Sequence, residues 1–168
     1  MDQNRFPQPS EFVCKVFPLI GGYYFDELIN SIDEAKISIY AIQYQWKWTS
    51  HQQNSKVQKL GAGIYNAKNR GVKVSVILNS ESPIRSLTKI NRVTSENLIK
   101  LGCEVRMIKT ASILHTKMWV IDGQYIFIGS HNISGRALNI NEEVSVKIES
   151  NLMAKYMLTY FNNLWNSR

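Results

Sequence analysis

The sequence predicts an α/β domain in which helices cover both faces of a mixed β-sheet. Between residues 23 and 108, segments with helical spacing of apolar residues alternate with short runs rich in β-branched residues. This alternation is typical of parallel strands joined by helices. After residue 110 the chain has two short apolar runs around an Asp-Gly-Gln turn, which predicts an antiparallel hairpin within the same sheet.

Three helix–strand pairs are expected before the hairpin. The helices are predicted over residues 23–35, 57–71 and 87–101, and the last two end at or just before Gly71 and Gly102, which are natural C-terminal stops. The strands that follow them are KISIYAIQYQ, VKVSVILN and CEVRMI. The β-branched and alternating apolar residues of these three segments favour strands over helices.

The rest of the chain supplies the antiparallel part of the sheet and a closing helix. MWVID and YIFIG form the predicted hairpin, and EEVSVKIE is one more strand. The segment NLMAKYMLTYFNNLW is expected to be an amphipathic helix with an apolar stripe four residues apart. The stripe consists of Leu152, Tyr156, Tyr160 and Leu164.

Length and composition indicate one folded domain with an anionic partner. Residues 1–22, rich in proline and ending in Gly-Gly, are expected to be a loosely structured lead-in to a single domain over residues 23–168. The net charge of +7 favours nucleic acid or an acidic membrane surface. Cys14 and Cys103 lie beside apolar residues, so we expect free buried thiols.

The expected cellular location depends on whether the sequence has a secretory signal or a membrane-spanning segment. The N-terminal segment MDQNRFPQPSEF has neither a basic start nor an apolar run, so we expect no secretory signal. No apolar stretch approaches the roughly 18 residues that a membrane span needs. A cytoplasmic location without stable membrane insertion is therefore expected.

The stretch HTKMWVIDGQYIFIGSHN carries polar residues towards its outer ends. If its turn consists of Gly123 and Gln124, four polar side chains converge on one face at the open end of the hairpin, because opposed residues point to the same face. The opposed pairs are Lys117 with Ser130 and His115 with Asn132. Each of these residues alone would suggest an ordinary surface or turn residue. Their convergence on one face indicates a common site instead.

The four residue types together suit a phosphodiester, an anion that gains charge during reaction. Imidazole acts as a nucleophile or acid near neutral pH, lysine supplies positive charge, and Ser and Asn supply hydrogen bonds. No carboxylate cluster accompanies them, so we expect neither a divalent metal nor another cofactor. Asp122 has the opposite orientation and lies roughly 17 Å away along the strand, which predicts a different place for it.

The same residues resemble the signature motif of the phospholipase D superfamily, H-x-K-x4-D followed by G-S-x-N. The motif positions are His115, Lys117, Asp122, Gly129, Ser130 and Asn132. The α/β order from about residue 20 to residue 166 resembles this superfamily too, and the single motif looks most like its small nucleases. The resemblance implies a phospholipase D-like fold and a metal-independent phosphodiesterase activity.

The resemblance also implies a role for each motif residue. His115 would attack phosphorus and form a phosphohistidine, or would protonate the leaving oxygen. Lys117 and Asn132 would hold the non-bridging oxygens, with Ser130 in support. Asp122, like the motif glycine, would be structural, in agreement with its predicted distance from the other motif residues.

Members of the superfamily tend to carry an acidic residue after the motif, in an N-x-E context. Asn141 to Val144 fit this context, with Glu143 in the matching place. A carboxylate on an imidazole nitrogen fixes the tautomer and strengthens the nucleophile, so we expect Glu143 to orient a histidine. Glu142 is the alternative, and a simple charge at the strand edge is the other interpretation of Glu143.

The reaction of the superfamily uses two motif histidines, but this chain has one His-x-Lys motif. His51 has no lysine two residues on, and His131 has the opposite orientation to His115 in the assumed register. A symmetric homodimer would bring two copies of His115 together across a two-fold axis.

Substrate contacts are predicted beside the motif. Trp46, Lys47 and Trp48 follow the first predicted strand, at the end where ligands approach α/β sheets. Aromatics interleaved with a cation could stack bases and hold the backbone of a nucleic acid, anchor in a lipid headgroup layer, or pack as core. Further cations lie three and four residues apart in the third predicted helix. They are Arg85, Lys89 and Arg92.

Four functions remain open at the level of sequence. A metal-independent endonuclease that cleaves DNA or RNA leads, and a phospholipase D-type hydrolase of anionic lipid is second. The third is a non-catalytic nucleic-acid-binding module that keeps the motif as a phosphate pocket. The fourth is a metal-dependent nuclease. Substrate panels assayed in a chelator would distinguish them.

Overall fold

A computed structural model describes residues 8, 10–48, 55–81, 85–110 and 113–167 of the 168-residue chain. Within these residues the strands are β1 (Lys15–Ile20), β2 (Ser38–Gln43), β3 (Lys73–Asn79), β4 (Glu104–Ile108), β5 (Lys117–Ile121), β6 (Tyr125–Gly129) and β7 (Val144–Glu149). The helices are α1 (Tyr23–Glu34), α2 (Lys56–Asn69), α3 (Arg85–Lys100), α4 (Gly135–Asn139) and α5 (Asn151–Trp165).

The strands form one mixed sheet in the order β1-β7-β6-β5-β2-β3-β4. Strands β2, β3 and β4 are parallel, whereas β5 pairs antiparallel with β2 and begins an antiparallel meander through β6 and β7 to β1. The prediction of a mixed sheet is confirmed. The start of β5 and the end of β6 therefore lie at the same edge as the carboxyl ends of the parallel strands.

Helices cover both faces of the sheet, as predicted. Helices α1, α2 and α3 contribute to one core, which includes Trp119 and Phe127. Helix α5 packs on the opposite face, in a core that includes Met118 and Val120. Neighbouring residues of β5 thus enter different cores, as expected for a strand buried on both faces. A slip of one residue would exchange the two cores, so this burial specifies the register.

The expectation of a loosely structured segment over residues 1–22 is wrong for its second part. Strand β1 pairs antiparallel with β7 along its whole length, from the pair Lys15–Glu149 to the pair Ile20–Val144. Pro18 suggested a loop, but a residue without an N–H group is tolerated in an edge strand. Since β1 has only one neighbour in the sheet, it is such a strand.

The predicted apolar stripe of α5 is confirmed at Leu164 and Tyr160, which belong to or pack against the core, and is wrong at Leu152. Leu152 is exposed, whereas Ala154, Phe161 and Leu164 are buried. Their spacing of seven and three residues still follows one side of a helix. The stripe therefore begins after the first turn, where Ser150 caps the helix by accepting a hydrogen bond from the N–H of Met153.

Both cysteines are free thiols, with Cys103 buried and Cys14 half-buried. Burial raises the pKa of Cys103 to about 11, so this thiol is uncharged at neutral pH and behaves as a small apolar side chain. In the part of the chain that the structure describes, no helix has both the length and the apolar character required to cross a membrane.

Candidate active site

The hairpin register differs by one residue from the predicted one. Ile121 pairs with Tyr125, so the turn holds three residues and begins at Asp122. Asp122 and Gly123 both have positive φ, 52° and 62°. The N–H of Gln124 donates to the carbonyl of Ile121 at 3.0 Å. Asp is one of the few residues with a side chain that tolerates this conformation, which is why the turn starts one residue early.

The shifted register changes which residues oppose each other. Met118 pairs with Ile128, so the same register brings Lys117 opposite Gly129 and not opposite Ser130. Strand β6 ends at Gly129, and regular alternation no longer sets the directions of the side chains beyond it. The predicted pairing of Lys117 with Ser130 and of His115 with Asn132 is therefore wrong.

Irregular contacts bring the second half of the motif to the same edge of the sheet. The N–H of Ser130 donates to the carbonyl of Val144 at 3.0 Å, which ties it to the start of β7. The N–H of Ile133 donates to the carbonyl of Gln45 at 3.0 Å, and Ile133 bridges Trp46 in parallel. Asn132 therefore lies beside the chain that continues β2.

The continuation of β2 also borders the first half of the motif. The N–H of Tyr44 donates to the carbonyl of Thr116 at 3.0 Å, between His115 and Lys117 in the chain. Residues 44–46 thus separate the two halves and contact both. The motif residues come together through this segment, and not through direct pairing of β5 with β6.

His115 and Lys117 form a compact unit with Tyr44. The Lys117 side chain is buried, and its Nζ donates to the His115 carbonyl at 2.9 Å and lies 3.2 Å from each nitrogen of the imidazole. The Tyr44 ring lies 4.5 Å from the His115 ring and 5.1 Å from Lys117 Nζ. His115 itself is exposed, so an incoming substrate can reach the imidazole while the ammonium lies below it.

The electrostatics of this unit favour a neutral imidazole. Partial desolvation, and then the charge of Lys117, lower the pKa of His115 below its ordinary value of 6.5. Burial also lowers the pKa of Lys117, and the Glu143 carboxylate opposes that change. At neutral pH the imidazole of a single chain therefore keeps a lone pair available for attack.

Glu143 has partners other than the predicted histidine. Its carboxylate accepts hydrogen bonds from Ser130 Oγ and, at 3.1 Å, from Asn141 Nδ2. Ser130 Oγ also accepts from the N–H of Val144 at 3.0 Å. Within the described part of one chain, Glu143 forms no hydrogen bond with His115. Ser130 and Glu143 thus connect the end of β6 to the start of β7.

Gly129 lies where β6 and β7 approach most closely. A Cβ atom at this position would stand 2.3 Å from Ser145 Oγ and 2.4 Å from its Cα. These distances are shorter than any contact that carbon atoms tolerate. Only glycine therefore fits beside Ser145, and the motif glycine has a steric reason.

His131 is a core residue. Its ring is fully buried and stacks on Tyr24 at 4.1 Å with an interplanar angle of 7°. Its Nδ1 contacts Ser145 Oγ at 2.7 Å, and its Nε2 lies 3.1 Å from the carbonyl of Gly21. Tyr24 belongs to the same core as Trp119, so the predicted opposite orientation of His131 is wrong. Burial nevertheless keeps this histidine from reaching a substrate.

Asp122 lies at the other end of the hairpin. Its carboxylate accepts three backbone hydrogen bonds, from the N–H groups of Lys36 at 2.9 Å, Ile37 at 2.8 Å and Ser38 at 2.9 Å. Its own N–H donates to the Ser38 carbonyl at 2.8 Å. Asp122 thus joins the turn to the start of β2.

Of the three interpretations left open for Trp46, packing in the core is the one that the structure supports, and its prediction as a substrate contact is wrong. Trp46 is fully buried and packs edge-on against Trp119 at 5.3 Å. Trp48 is half-buried and packs against Gly61 of α2, and its Nε1 donates to Gln58 Oε1 at 2.9 Å. Alternation of aromatic and basic residues does not distinguish an exposed platform from a core strand, and here the rings face the core.

The predicted cations have different positions. Lys47 is half-buried and lines a cleft beside Asn132. Lys89 and Arg92 are exposed on α3. Arg85 begins α3, and the side chain of Arg85 lies outside the described residues, as does the whole of His51. Among the predicted cations with described side chains, Lys47 is thus the one that lines this cleft.

Two residues that sequence reasoning missed build the floor of the site. Asn91 of α3 is fully buried, accepts from the N–H of Trp46 at 3.0 Å and donates to the carbonyls of Tyr44 at 2.8 Å and Asn79 at 2.9 Å. Gln43 is fully buried opposite Lys117, and neither amide atom has a partner among the described residues. A polar residue in an apolar strand was the available signal for Gln43.

Metal ligation has no obvious donor set here. Among the described residues, no three His, Cys, Asp or Glu side chains are grouped so that they could hold a metal ion. The chemistry that the site offers is instead that of one imidazole, one ammonium and neutral hydrogen-bonding groups.

Comparisons with known proteins identify the family of the chain. Residues 28–165 match the family model described as "Cardiolipin synthase, PLD-like domain". The protein named 5'-3' exonuclease PLD3 from Xenopus laevis is 31% identical over 180 aligned positions, which cover 98% of this chain and 35% of that protein. The virion nicking-joining enzyme of vaccinia virus is 36% identical over 87 positions, which cover 49% of this chain and 19% of that enzyme. The chain thus spans about a third or less of the length of these curated relatives.

Two solved structures share the fold over nearly their whole length. The phospholipase D family member Nuc from Salmonella typhimurium superimposes with a TM-score of 0.75 at 21% identity, covering 90% of this chain and 95% of that one. NucT from Helicobacter pylori superimposes with a TM-score of 0.74 at 21% identity, covering 92% of this chain and 98% of that one.

Proposed function

The chain belongs to the phospholipase D-like domain family, and on that premise we propose that it is a metal-independent phosphodiesterase that cleaves nucleic acid. The observation that carries the proposal is the exposed imidazole of His115, held above the buried ammonium of Lys117. A lowered pKa keeps this imidazole neutral at neutral pH, as a nucleophile requires. Relatives with nuclease names favour a nucleic acid as the substrate.

In the proposed reaction the phosphorus atom passes from one oxygen to a nitrogen and then to another oxygen. A ring nitrogen of His115 forms a bond to phosphorus while the bond to the leaving oxygen breaks, and a second, protonated histidine gives that oxygen its proton. Water then attacks the phosphohistidine, loses a proton to the second histidine and releases His115. Lys117 and Asn132 hold the non-bridging oxygens throughout.

The second histidine is His115 of a second copy of the chain. The need for it follows from the single His-x-Lys motif, and His131 is buried in the core. Exposed apolar side chains at this edge of the sheet favour an interface: Ile20 and Val144, which are register partners, are both 60% exposed, and Ile140 is 68% exposed. Exposed apolar side chains grouped around a polar centre are typical of an interaction surface.

A panel of substrates in EDTA tests the reaction. We expect cleavage of labelled DNA or RNA to persist in the chelator, with a His115→Ala chain as the inactive control. Activity that the chelator abolishes and a divalent ion restores would identify a metal nuclease. Hydrolysis of anionic phospholipid vesicles alone would favour the second candidate, which the description of the family model supports. Binding without any turnover would mean a non-catalytic module.

Mixed dimers test the shared site. When equal amounts of wild-type and His115→Ala chains are unfolded and refolded together, roughly a quarter of the dimers have two intact chains. Activity per total protein should then fall to about a quarter of the all-wild-type value, because a mixed dimer lacks one histidine. Mixing with a chain altered at the exposed Lys100 controls for refolding losses. Retention of about half the activity would rule out a site made from both chains.

A further inference from the structure

A cleft of about 670 Å³ opens next to the proposed catalytic site and shares Asn132 with it. One wall is the continuation of β2, and the other is the segment from the end of β6 through α4 to the start of β7. The residues that carry its polar character are Gln45, Lys47, Asn132, Arg136, Asn139 and Asn141. The cleft therefore meets the site at Asn132, and neither Lys117 nor His115 lines it.

The charge of the cleft is of one sign. Lys47 and Arg136 are its cations, and among the described residues that line it there is no carboxylate. The ion pairs of the described residues use other lysines, so neither cation has a carboxylate partner among these residues. Two unpaired cations among side-chain amides form a binding surface for an anion with several oxygen acceptors.

The walls are fixed by hydrogen bonds that do not use the cationic groups. The N–H of Lys47 donates to the carbonyl of Ile133 at 2.7 Å, which holds the two walls together. Ser134 Oγ caps α4 by accepting from the N–H of Ala137. Lys56 Nζ of α2 donates to the Leu138 carbonyl at 2.9 Å and holds α4 from behind. The cleft is thus built before any ligand arrives, which lowers the entropic cost of binding.

We propose that this cleft binds the phosphate next along the strand from the one attacked by His115. The inference rests on the proposed function and deepens it, since it specifies a substrate with at least two phosphodiester groups. Arg136 and Lys47 would contact the second phosphate, while Asn132, which borders both sites, contacts the first. A phospholipid with one phosphodiester group, such as phosphatidylglycerol, would leave the cleft without its ligand, so the cleft selects a polynucleotide over such a lipid.

Cleavage of two substrates tests the cleft. A short oligonucleotide presents the second phosphate, whereas bis(4-nitrophenyl) phosphate does not. We expect Arg136→Gln and Lys47→Gln each to lower kcat/KM for the oligonucleotide roughly tenfold more than for the small diester. Arg136→Lys should recover part of the loss because it keeps the charge. The control is Lys100→Gln, which removes an exposed cation at the far end of α3 and should change neither value.

A binding measurement keeps the inference separate from the proposed function. In a His115→Ala background, anisotropy of a labelled oligonucleotide gives affinity without turnover. Each Gln variant should reduce the salt dependence, the slope of log K against log salt, by about one. Replacing the phosphate next to the intended cleavage position by a neutral methylphosphonate should have the same effect in the unaltered cleft, and none in a chain that carries both Gln substitutions. Equal losses of kcat/KM on both substrates, or salt slopes that match the Lys100→Gln control, would overturn the proposal that the cleft binds a phosphate. Altered slopes in a protein that cleaves neither substrate would overturn only the catalytic proposal.

Discussion

The polar residues at the two ends of the β5–β6 hairpin differ in whether their side chains have hydrogen-bond partners. At the turn, the carboxylate of Asp122 accepts three backbone hydrogen bonds. At the open end, both amide atoms of Gln43 and the Oδ1 atom of Asn132 are buried without a partner among the described residues. The ammonium of Lys117, directly opposite Gln43, is buried as well.

The turn of the hairpin therefore stabilises the fold, whereas its open end lowers the stability. A buried polar group that is hydrogen-bonded contributes to folding, whereas one without a partner is unfavourable by about 1–3 kcal/mol. Groups of the second kind persist where function requires them. The open end therefore has the signature of a ligand site, and the turn has that of a structural joint.

The largest expected effect is the loss of turnover on removal of the buried Lys117 ammonium. Lys117→Ala should lower turnover about 10³-fold, because it removes a charge directed at the phosphate. The melting temperature should change little, because relief from a buried charge offsets the loss of the hydrogen bond from Nζ to the His115 carbonyl. Steady-state kinetics and calorimetry on the variant and on Lys100→Ala, its exposed counterpart, measure both quantities. Unfolding of Lys117→Ala at moderate temperature would show that this lysine belongs to the structural class.

Asp122→Asn should have the next largest effect, and it should be an effect on stability. Asn tolerates the positive φ of this position, but its amide replaces one accepting oxygen by a donor that faces backbone N–H groups. We expect the free energy of unfolding to fall by about 2 kcal/mol, with turnover of the remaining folded protein nearly preserved. Denaturant titration and active-site-normalised rates would check this. A loss of turnover without a loss of stability would contradict the assignment.

Gln43→Leu should change stability and turnover in opposite directions. Leucine removes two buried polar atoms that have no partner, so the free energy of unfolding should rise by about 1 kcal/mol. Turnover should fall about tenfold, because an apolar side chain opposite Lys117 makes the surroundings of its ammonium less favourable for the charge. The matched control is Asn79→Leu, since Asn79 is equally buried but donates to the Glu81 carbonyl at 2.7 Å. That variant should lose stability, and a similar loss in Gln43→Leu would remove the contrast.

The smallest expected effect is a displacement in the pH profile. Desolvation and Lys117 lower the pKa of His115, so the imidazole remains neutral until the pH falls below 6.5. The acid limb of kcat/KM should therefore have its midpoint below pH 6.5, and a second histidine that must be protonated should give an alkaline limb. The two apparent values belong to the pair. Rates measured from pH 4.5 to 9 that fall with a midpoint above 6.5 would contradict this electrostatic environment.

Periodicity and motif spacing predicted the layers of the fold and the two strands that carry the motif. They could not predict the turn, because Asp-Gly-Gln is compatible with a turn that begins at either Asp122 or Gly123, and only Asp122 reaches the N–H groups at the start of β2. They also missed β1, since Pro18 suggests a loop until the edge position of the strand is known.

Residues could be assigned to the site from the sequence only where they belong to a known motif. Asn91 is one polar residue among several in α3, and nothing in its local sequence indicates that it holds the backbone of Tyr44 and Trp46 from another element. The burial of Trp46 likewise depends on its contact with Trp119, far away in the chain. Contacts between distant segments decide such roles, and one sequence does not contain them in readable form.

The close approach of Gly129 to Ser145 provides a filter for other chains of this kind. A methyl group there would stand within 2.6 Å of three Ser145 atoms, so β6 and β7 could not pair as they do here. Ser130 and Glu143 flank that contact and would separate with the strands. A homologue that keeps the histidine, lysine and asparagine but has a larger residue in place of the glycine must therefore pair β6 with β7 differently, or it has lost catalytic activity.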